Sequence, residues 1–123
     1  RPSMQFKDFV FPHEPAKLEV GAVNRLGVGH CPGYGPVIQE LGVQQRVITG
    51  EGAFFGPEAG DQYRRLEELF FQQTPGRLVL PGHTAVTAHF SKLGWLGEGD
   101  GQVIRYSFEF LERPGASWAG QEG

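Results

Sequence analysis

The density of glycine and proline is the feature that most restricts the fold of this chain. Nineteen Gly and nine Pro are spread over 123 residues and separate short runs of strand-forming residues. Glycine and proline weaken helix interiors and favour tight turns. This spacing predicts many short strands joined by tight connections. Hydrophobic residues make up 39% of the chain and aromatic residues 12%, which suffices for one domain with one core.

Alternation of apolar and polar residues predicts where the strands lie. The predicted strands cover residues 17–22, 37–41, 45–55, 77–80, 86–95 and 104–110. Residues 27–35 hold four Gly and one Pro and are predicted to be a loop, and Gly42 is predicted to end the strand before it. Residues 97–101 are predicted to be a hairpin loop. The alternation slips by one position at Ser91-Lys92, which predicts a β-bulge there.

The predicted strand over residues 45–55 has an unusual pair of faces. Gly50 and Gly52 share one face with Ile48 and Phe54. Two glycines in alternate positions predict a bend, a bulge or the close approach of another backbone. Glu51 falls on the opposite face and is interpreted as an edge-strand charge that hinders aggregation.

One segment, residues 57–73, has the period of an amphipathic helix. Its apolar residues form a single stripe: Tyr63, Leu66, Leu69 and Phe70. Pro57 is predicted as its first residue, or Asp61 as the cap of a shorter helix. A single helix among many strands predicts an α+β fold. We expect a mostly antiparallel sheet, sandwich-like or half-barrel-like, with the helix packed across it.

Charge and composition argue against several classes of partner. The formal net charge is −3 with a pI of about 5.8, and no basic stripe is present, so a nucleic-acid partner is not predicted. No apolar run approaches the roughly 20 residues that span a bilayer, so no membrane partner is predicted. Cys31 is the single cysteine and predicts no internal disulfide.

The histidines and the cysteine do not form a metal-ligand pattern. His83 and His89 have an even separation, but a Pro-Gly turn before them is predicted to leave His83 outside the strand. His30 and Cys31 are adjacent, so their side chains point to opposite sides of an extended segment. Because zinc sites use paired ligands at defined spacing, we predict no metal site.

No other set of residues meets the requirements of a catalytic or nucleotide site. Cys31 lacks an orienting partner and a nucleophile-elbow motif. Glu67 and Glu68 are assigned to the polar face of the helix, and nothing specifies a glycosidase-like carboxylate pair. The G-x-G-x-x-x-G segment at 50–56 has neither the dinucleotide spacing nor a βαβ context. We predict a protein that is not an enzyme and uses no cofactor.

An ordered set of motifs, spread over most of the chain, resembles a known family. In order they are FVFPH at 9–13, HCPG at 30–33, QELG at 39–42, RVITGEG at 46–52, FFG at 54–56, QYRRL at 62–66, PGRLVLPG at 75–82 and RYSFEF at 105–110. Their structural signature is a set of glycines and prolines: Gly42, Gly50, Gly52, Gly56, Pro75, Gly76, Pro81 and Gly82. Over residues 4–112 the chain resembles the N-terminal domain of phage tail and baseplate proteins of the DNA-circularisation type. It is also similar to LysM-containing baseplate proteins of contractile tails.

This resemblance implies a structural domain of a virion tail or baseplate that is assembled in the host cytoplasm. Such a domain attaches neighbouring baseplate or hub components in several symmetry-related copies and catalyses no reaction. Members often continue through a linker into a LysM module, through which any peptidoglycan contact would be made. Residues 113–123 are accordingly predicted to be a linker or tail, residues 4–112 a single domain, and residues 1–3 a remnant of cloning.

Three aromatic residues, Tyr34, Trp95 and Trp118, are possible interface residues. Core packing is the favoured interpretation for Trp95, because Trp is usually largely buried. Trp118 lies in a segment that can pack little by itself, so its exposure would indicate a partner. Two alternative functions stay open, a glycan-binding β-sandwich module with an exposed aromatic platform and an unrecognised hydrolase.

Overall fold

A computed structural model describes residues 3–98 and 102–113 of the chain. Its elements, in chain order, are β1 (Gln5–Phe6), β2 (Phe9–Val10), β3 (Lys17–Cys31), β4 (Gly35–Phe55), α1 (Ala59–Gln72), β5 (Gly76–Val79), β6 (Val86–Glu98) and β7 (Val103–Glu112). The strands form one sheet in the order β2-β1-β5-β6-β7-β4-β3, and all neighbouring pairs are antiparallel. The predicted α+β class is confirmed.

The sheet curls so that its first strands lie over its later ones. The ring of Phe6 on β1 is 4.9 Å from that of Phe110 on β7, measured between centroids. Phe9 on β2 is 6.2 Å from Phe54 on β4, although several strands separate β2 from β4 in the sheet. These contacts enclose an interior that is filled mainly by aromatic side chains, as in a half-barrel.

Helix α1 packs against the same interior through the stripe predicted for it, of which Leu69 and Phe70 stay partly exposed. Tyr63 and Leu66 are buried, and the ring of Phe70 lies 5.3 Å from that of Phe90 on β6. Burial, and secondarily the charge of Glu67, raises the pKa of the Tyr63 phenol, because both disfavour the phenolate.

Both predictions for the start of this helix are wrong. The helix begins at Ala59, and Glu58 precedes it without making a side-chain cap. Pro57 and Glu58 instead continue the turn that starts at Gly56, whose φ of 88° reverses the chain after β4. Asp61 lies in the first helical turn, where its carboxylate pairs with Arg64.

The predicted loop over residues 27–35 is also wrong. β3 continues to Cys31, β4 starts at Gly35, and only residues 32–34 form the turn between them. β4 then runs to Phe55 without ending at Gly42. Along the hairpin the register partner of β3 changes from Val43 to residue 40, so positions 41 and 42 form a bulge rather than a strand end. Backbone pairing between β3 and β4 holds this segment extended. In a glycine-rich sequence such pairing requires no alternation of apolar and polar side chains, so the sequence pattern does not reveal it.

The β-bulge predicted in β6 is confirmed. Phe90 pairs with Phe110 and Lys92 pairs with Glu109, so Ser91 is the extra residue. Its hydroxyl donates a hydrogen bond to the backbone carbonyl of Glu109 at 3.0 Å. A second register shift, between Trp95 and Gly97, was not predicted.

Of the two glycines of β4, Gly50 shows the close backbone approach predicted for the pair, and Gly52 instead makes room for a side chain. A Cβ on Gly50 would lie 2.5 Å from the carbonyl oxygen of Lys17 and 2.6 Å from the Phe108 ring. A Cβ on Gly52 would lie 2.6 Å from the hydroxyl of Tyr106. Burial raises the pKa of that phenol well above its ordinary value.

The edge-strand interpretation of Glu51 is wrong. Glu51 pairs with Lys17 on β3 and with Ser107 on β7, so it lies on a strand with a neighbour on each side. The error follows from the position of β3, which takes the outer place at this end of the sheet.

Lys7 ties the N-terminal hairpin to the end of α1. Its ammonium donates hydrogen bonds to Oε1 of Gln72 at 2.8 Å and to Oγ1 of Thr74 at 2.6 Å. Its aliphatic stem crosses Gly76, where a Cβ would lie 2.5 Å from the Lys7 Cγ. Gly76 therefore leaves room for this connection.

Replacing Lys7 by methionine is expected to lower the free energy of unfolding by about 0.5–1.5 kcal/mol, because two hydrogen bonds are lost while the stem is kept. Urea unfolding of the Lys7→Met variant measures this. Lys17→Met, a change at an exposed position on β3, is the control and should stay within about 0.5 kcal/mol of the parent. Equal losses in the two variants would show that the connection to Gln72 and Thr74 adds no stability.

Candidate functional site

The outer part of the β3–β4 hairpin extends past the rest of the sheet. β7 pairs with β4 only from Val47 to Phe55, whereas β3 pairs with β4 as far as the turn. Residues 24–44, which we call the arm, thus form a ribbon with no third strand beside it among the described residues. From Val47 to Gly35, β4 spans roughly 40 Å at about 3.3 Å per residue.

The arm exposes apolar side chains near its tip. Val28 and Ile38 are register partners and therefore lie side by side on one face, where they are 77% and 74% exposed. Tyr34, in the turn at the tip, is 84% exposed. Residues 26–38 include no Lys, Arg, Asp or Glu. Because a two-stranded ribbon is marginally stable alone and exposed apolar patches mark interaction sites, the arm is the candidate interaction surface.

The base of the arm is fixed to the core by a partly buried polar network. The side-chain amide of Gln45 donates a hydrogen bond to the backbone carbonyl of Glu112 at 2.8 Å. The Glu112 carboxylate accepts one from the backbone N–H of Arg46 at 3.2 Å, and its other oxygen lies 3.6 Å from the Arg46 guanidinium. Gln45 and Glu112 are both buried. These contacts join β4 to the end of β7 where the arm leaves the sheet.

The two predicted interface residues that the structure describes do not come together. Tyr34 lies at the arm tip, whereas Trp95 lies on β6, and Trp118 is outside the described residues. Trp95 is 49% exposed, so core packing is the wrong interpretation for it. An edge-to-face contact with Tyr63, at 5.0 Å between centroids, covers part of its ring.

The glycines and prolines of the ordered motifs occupy turns and close contacts rather than a single site. Gly56 lies in the turn between β4 and α1, and Gly82, with φ of 74°, follows Pro81 in the turn between β5 and β6. Pro75 immediately precedes Gly76, the first residue of β5. Their distribution fits a role in the fold, and of the eight signature residues only Gly42 lies in the arm.

The described part of the chain shows no arrangement suited to metal chemistry. Within residues 3–98 and 102–113, no three His, Cys, Asp or Glu side chains are placed to hold a metal ion. His83 lies in the turn before β6, outside the strand as predicted. No described helix has the length and apolar character needed to cross a membrane.

A groove that the sequence did not indicate lies between α1 and the β1–β2 hairpin. Its volume is about 390 Å³, and Phe9, Val10 and Leu69 form much of its apolar lining. Gln62 of α1 also lines it, and Oε1 of that side chain is buried without a hydrogen-bond partner among the described residues. Residues from β2 and α1 meet only through the curl of the sheet, so no local sequence pattern could have predicted the groove.

Comparison with known proteins places the chain near two solved assemblies. No family model and no curated protein matches it. It is similar to a chain in the virion of a native gene transfer agent particle, with 16% identity and a TM-score of 0.48 over 80% of this chain and 79% of that one. It is also similar to a chain in the tail of an empty gene transfer agent particle, with 17% identity and a TM-score of 0.43 over 79% and 74% of the two chains. Similarity at this level carries no inference about function.

Proposed function

We propose that this protein is a structural component of a phage or phage-like contractile tail, at the baseplate or hub, and connects neighbouring subunits without catalysis. One observation carries the proposal: the arm extends roughly 30 Å from the sheet and exposes Val28, Ile38 and Tyr34. The ordered motifs over residues 4–112 support the assignment to tails. Its partners are other tail or baseplate proteins, present in several symmetry-related copies in the virion tail.

The construction of the domain supports a connecting role. An arm must keep its direction if it is to meet a partner, and here its base is held by the buried contacts of Gln45 and Glu112. The surface of the arm is apolar and uncharged near its tip, which favours a permanent contact over a transient one. Contact with peptidoglycan would require a LysM domain following residues 113–123. Assembly would take place in the host cytoplasm.

The test is co-purification of the protein with the products of its neighbouring genes after co-expression. We expect the double variant Val28→Ser/Ile38→Ser to retain at most a tenth of the bound partner, because the apolar face of the arm is removed. Its free energy of unfolding should stay within about 0.5 kcal/mol of the parent, since both positions are exposed.

Phe71→Ser is the matched control, because Phe71 is an apolar residue of the helix that is 66% exposed and lies away from the arm. It should bind partner as the parent does. Binding that is equally strong in the arm variant and the control would contradict the role of the arm. A parent protein that co-purifies with none of its neighbours' products would contradict the assignment to a tail.

A glycan-binding module is the second candidate, and the half exposure of Trp95 favours it. The contact of Trp95 with Tyr63 is nearly perpendicular, at 82°, so these two rings do not form a flat platform for a sugar. A glycan array probed with the parent and with Trp95→Ala distinguishes the candidates. Binding that depends on Trp95 would support the glycan module, and an array without hits would remove it.

A further inference from the structure

The two edges of the arm differ in how well they are protected against pairing with another strand. Each strand of a two-stranded ribbon has one free edge, and proteins commonly protect such edges with charged residues or proline. Within the arm, β4 carries Pro36. β3 carries no proline, and its residues 26–31 include no Lys, Arg, Asp or Glu. Among the described residues β3 pairs with β4 alone, so its outer edge is both free and unprotected.

Pro36 also determines which backbone groups of β3 point outward. Opposite residues of antiparallel strands alternate between pairs that exchange two hydrogen bonds and pairs that exchange none. Pro36 is the register partner of His30 and has no N–H to donate, so this pair is of the second kind. The pair of Val28 and Ile38, two positions away, is then of the second kind as well. The N–H and C=O groups of Val28 and His30 therefore point away from β4.

The hydrogen bond within the tip turn agrees with this assignment. The N–H of Tyr34 donates to the backbone carbonyl of Cys31 at 2.9 Å, so this carbonyl is directed to the inside of the hairpin. Because the direction alternates along a strand, the groups of His30 next to it face the free edge. By the same alternation the N–H of Ile38 faces the free edge of β4. Val28 and Ile38 thus present unpaired N–H groups on opposite edges of the arm, at the same level.

The glycines of β3 determine what kind of strand fits its free edge. Gly27 and Gly29 lie on one face of β3, which therefore has no side chains at these positions. A neighbouring strand with large apolar side chains opposite the glycines would cover this bare backbone. A second copy of the chain cannot supply them. Antiparallel pairing of the outward groups of two β3 strands, as in a twofold dimer, places glycine opposite glycine.

We propose that the free edge of β3, over residues 26–31, binds an extended segment of a neighbouring tail protein as an added strand. The segment is uncharged, because this edge offers no charge to pair with, and it carries large apolar side chains opposite Gly27 and Gly29. The proposal rests on the proposed function, since it specifies how the arm holds its partner. It adds hydrogen bonds from the backbone of β3 to the contact made by the exposed side chains.

Amide hydrogen exchange tests the added strand. It is measured on the full chain alone and on its complex with the neighbouring gene product that it retains after co-expression. We expect exchange at the N–H groups of Val28 and His30 to slow at least tenfold in the complex, because both gain carbonyl partners. The N–H of Ile38, on the opposite edge, is the internal control and should exchange at the same rate in both states. Equal protection of the two edges, or of neither, would overturn the proposal.

Proline substitutions on the two edges separate backbone pairing from side-chain contact. Val28→Pro removes an outward N–H of β3 and Ile38→Pro one of β4, and both replace an exposed apolar side chain. Neither N–H is used within the hairpin, so both variants should unfold at the urea concentration of the parent. We expect Val28→Pro to bind the partner at least ten times more weakly than Ile38→Pro does. Equal affinities of the two variants would contradict strand addition at β3.

The outcomes distinguish this proposal from the proposed function. A parent protein that retains a partner without protection at Val28 and His30 would keep the connecting role and overturn strand addition. A parent that retains none of its neighbours' products would overturn both. Light scattering of the chain alone should show a monomer. A dimer in which exchange at Val28 is slowed would overturn the choice of a different protein as the occupant of this edge.

Discussion

Replacement of Phe110 by alanine is expected to lower the free energy of unfolding by roughly 3–5 kcal/mol. The Phe110 ring is fully buried, stacks on Phe90 at 4.5 Å and contacts Phe6 at 4.9 Å. Its removal leaves a cavity where the two ends of the curled sheet meet. A domain of this size has about 5–15 kcal/mol of stability in total, so urea unfolding should show a much lower midpoint.

Phe71→Ala is the matched control for this substitution. The Phe71 ring is 66% exposed on the outer side of α1, so the same change of side chain removes little buried surface. We expect a loss of about 0.5 kcal/mol or less. Comparable losses at Phe110 and Phe71 would contradict the curled sheet, because they would mean that the interior does not close around Phe110.

Replacement of Gly52 by alanine is expected to cost roughly 1–3 kcal/mol, the usual range for an added methyl group in a filled core. The new Cβ would lie 2.6 Å from the Tyr106 hydroxyl and 2.8 Å from its Cζ. The Tyr106 ring is stacked on Phe54 at 4.8 Å and cannot move aside freely. Thermal or urea unfolding of the variant measures the loss.

The same substitution at Gly21 of β3 is the control. The nearest atom to a Cβ there is the carbonyl oxygen of Val47, 4.0 Å away. Gly21→Ala should therefore leave stability unchanged or raise it by up to roughly 1 kcal/mol, because alanine restricts the unfolded chain. Tyr106→Phe should recover part of the loss in the Gly52→Ala background. Additive effects of Gly52→Ala and Tyr106→Phe would show that the hydroxyl is not the obstacle.

The core could be predicted from the sequence because a buried strand or helix face requires apolar residues at regular intervals. The alternation from Ile104 to Phe110 identified the inward face of β7, and the helical stripe identified the buried side of α1. The slip in phase at Ser91 identified the bulge, since one extra residue moves every later side chain to the opposite face. In each case one face is buried, and burial is what imposes a pattern on the sequence.

The arm could not be predicted for the same reason. Val28 and Ile38 are not covered by the other described residues, so no alternation of apolar and polar residues is required around them. Its glycines suit an extended ribbon as well as a loop, and only the pairing of β3 with β4 decides between them. The sequence indicates Tyr34 as a possible interface residue. The groove between α1 and the β1–β2 hairpin depends on contacts between distant segments, and the exposure of Trp95 depends on where α1 stops covering β6.

The unbroken course of β4, from the tip of the arm to Phe55, determines how the domain would carry a mechanical load. Tension applied at Tyr34 along the arm enters β4, which is hydrogen-bonded on both sides where it passes between β3 and β7. Those bonds run perpendicular to the strand, so the load shears many of them together instead of unzipping them in turn. The rate of forced unfolding is set by the barrier, and this loading direction makes the barrier high. The arm thus continues directly into a strand that is paired on both sides within the sheet.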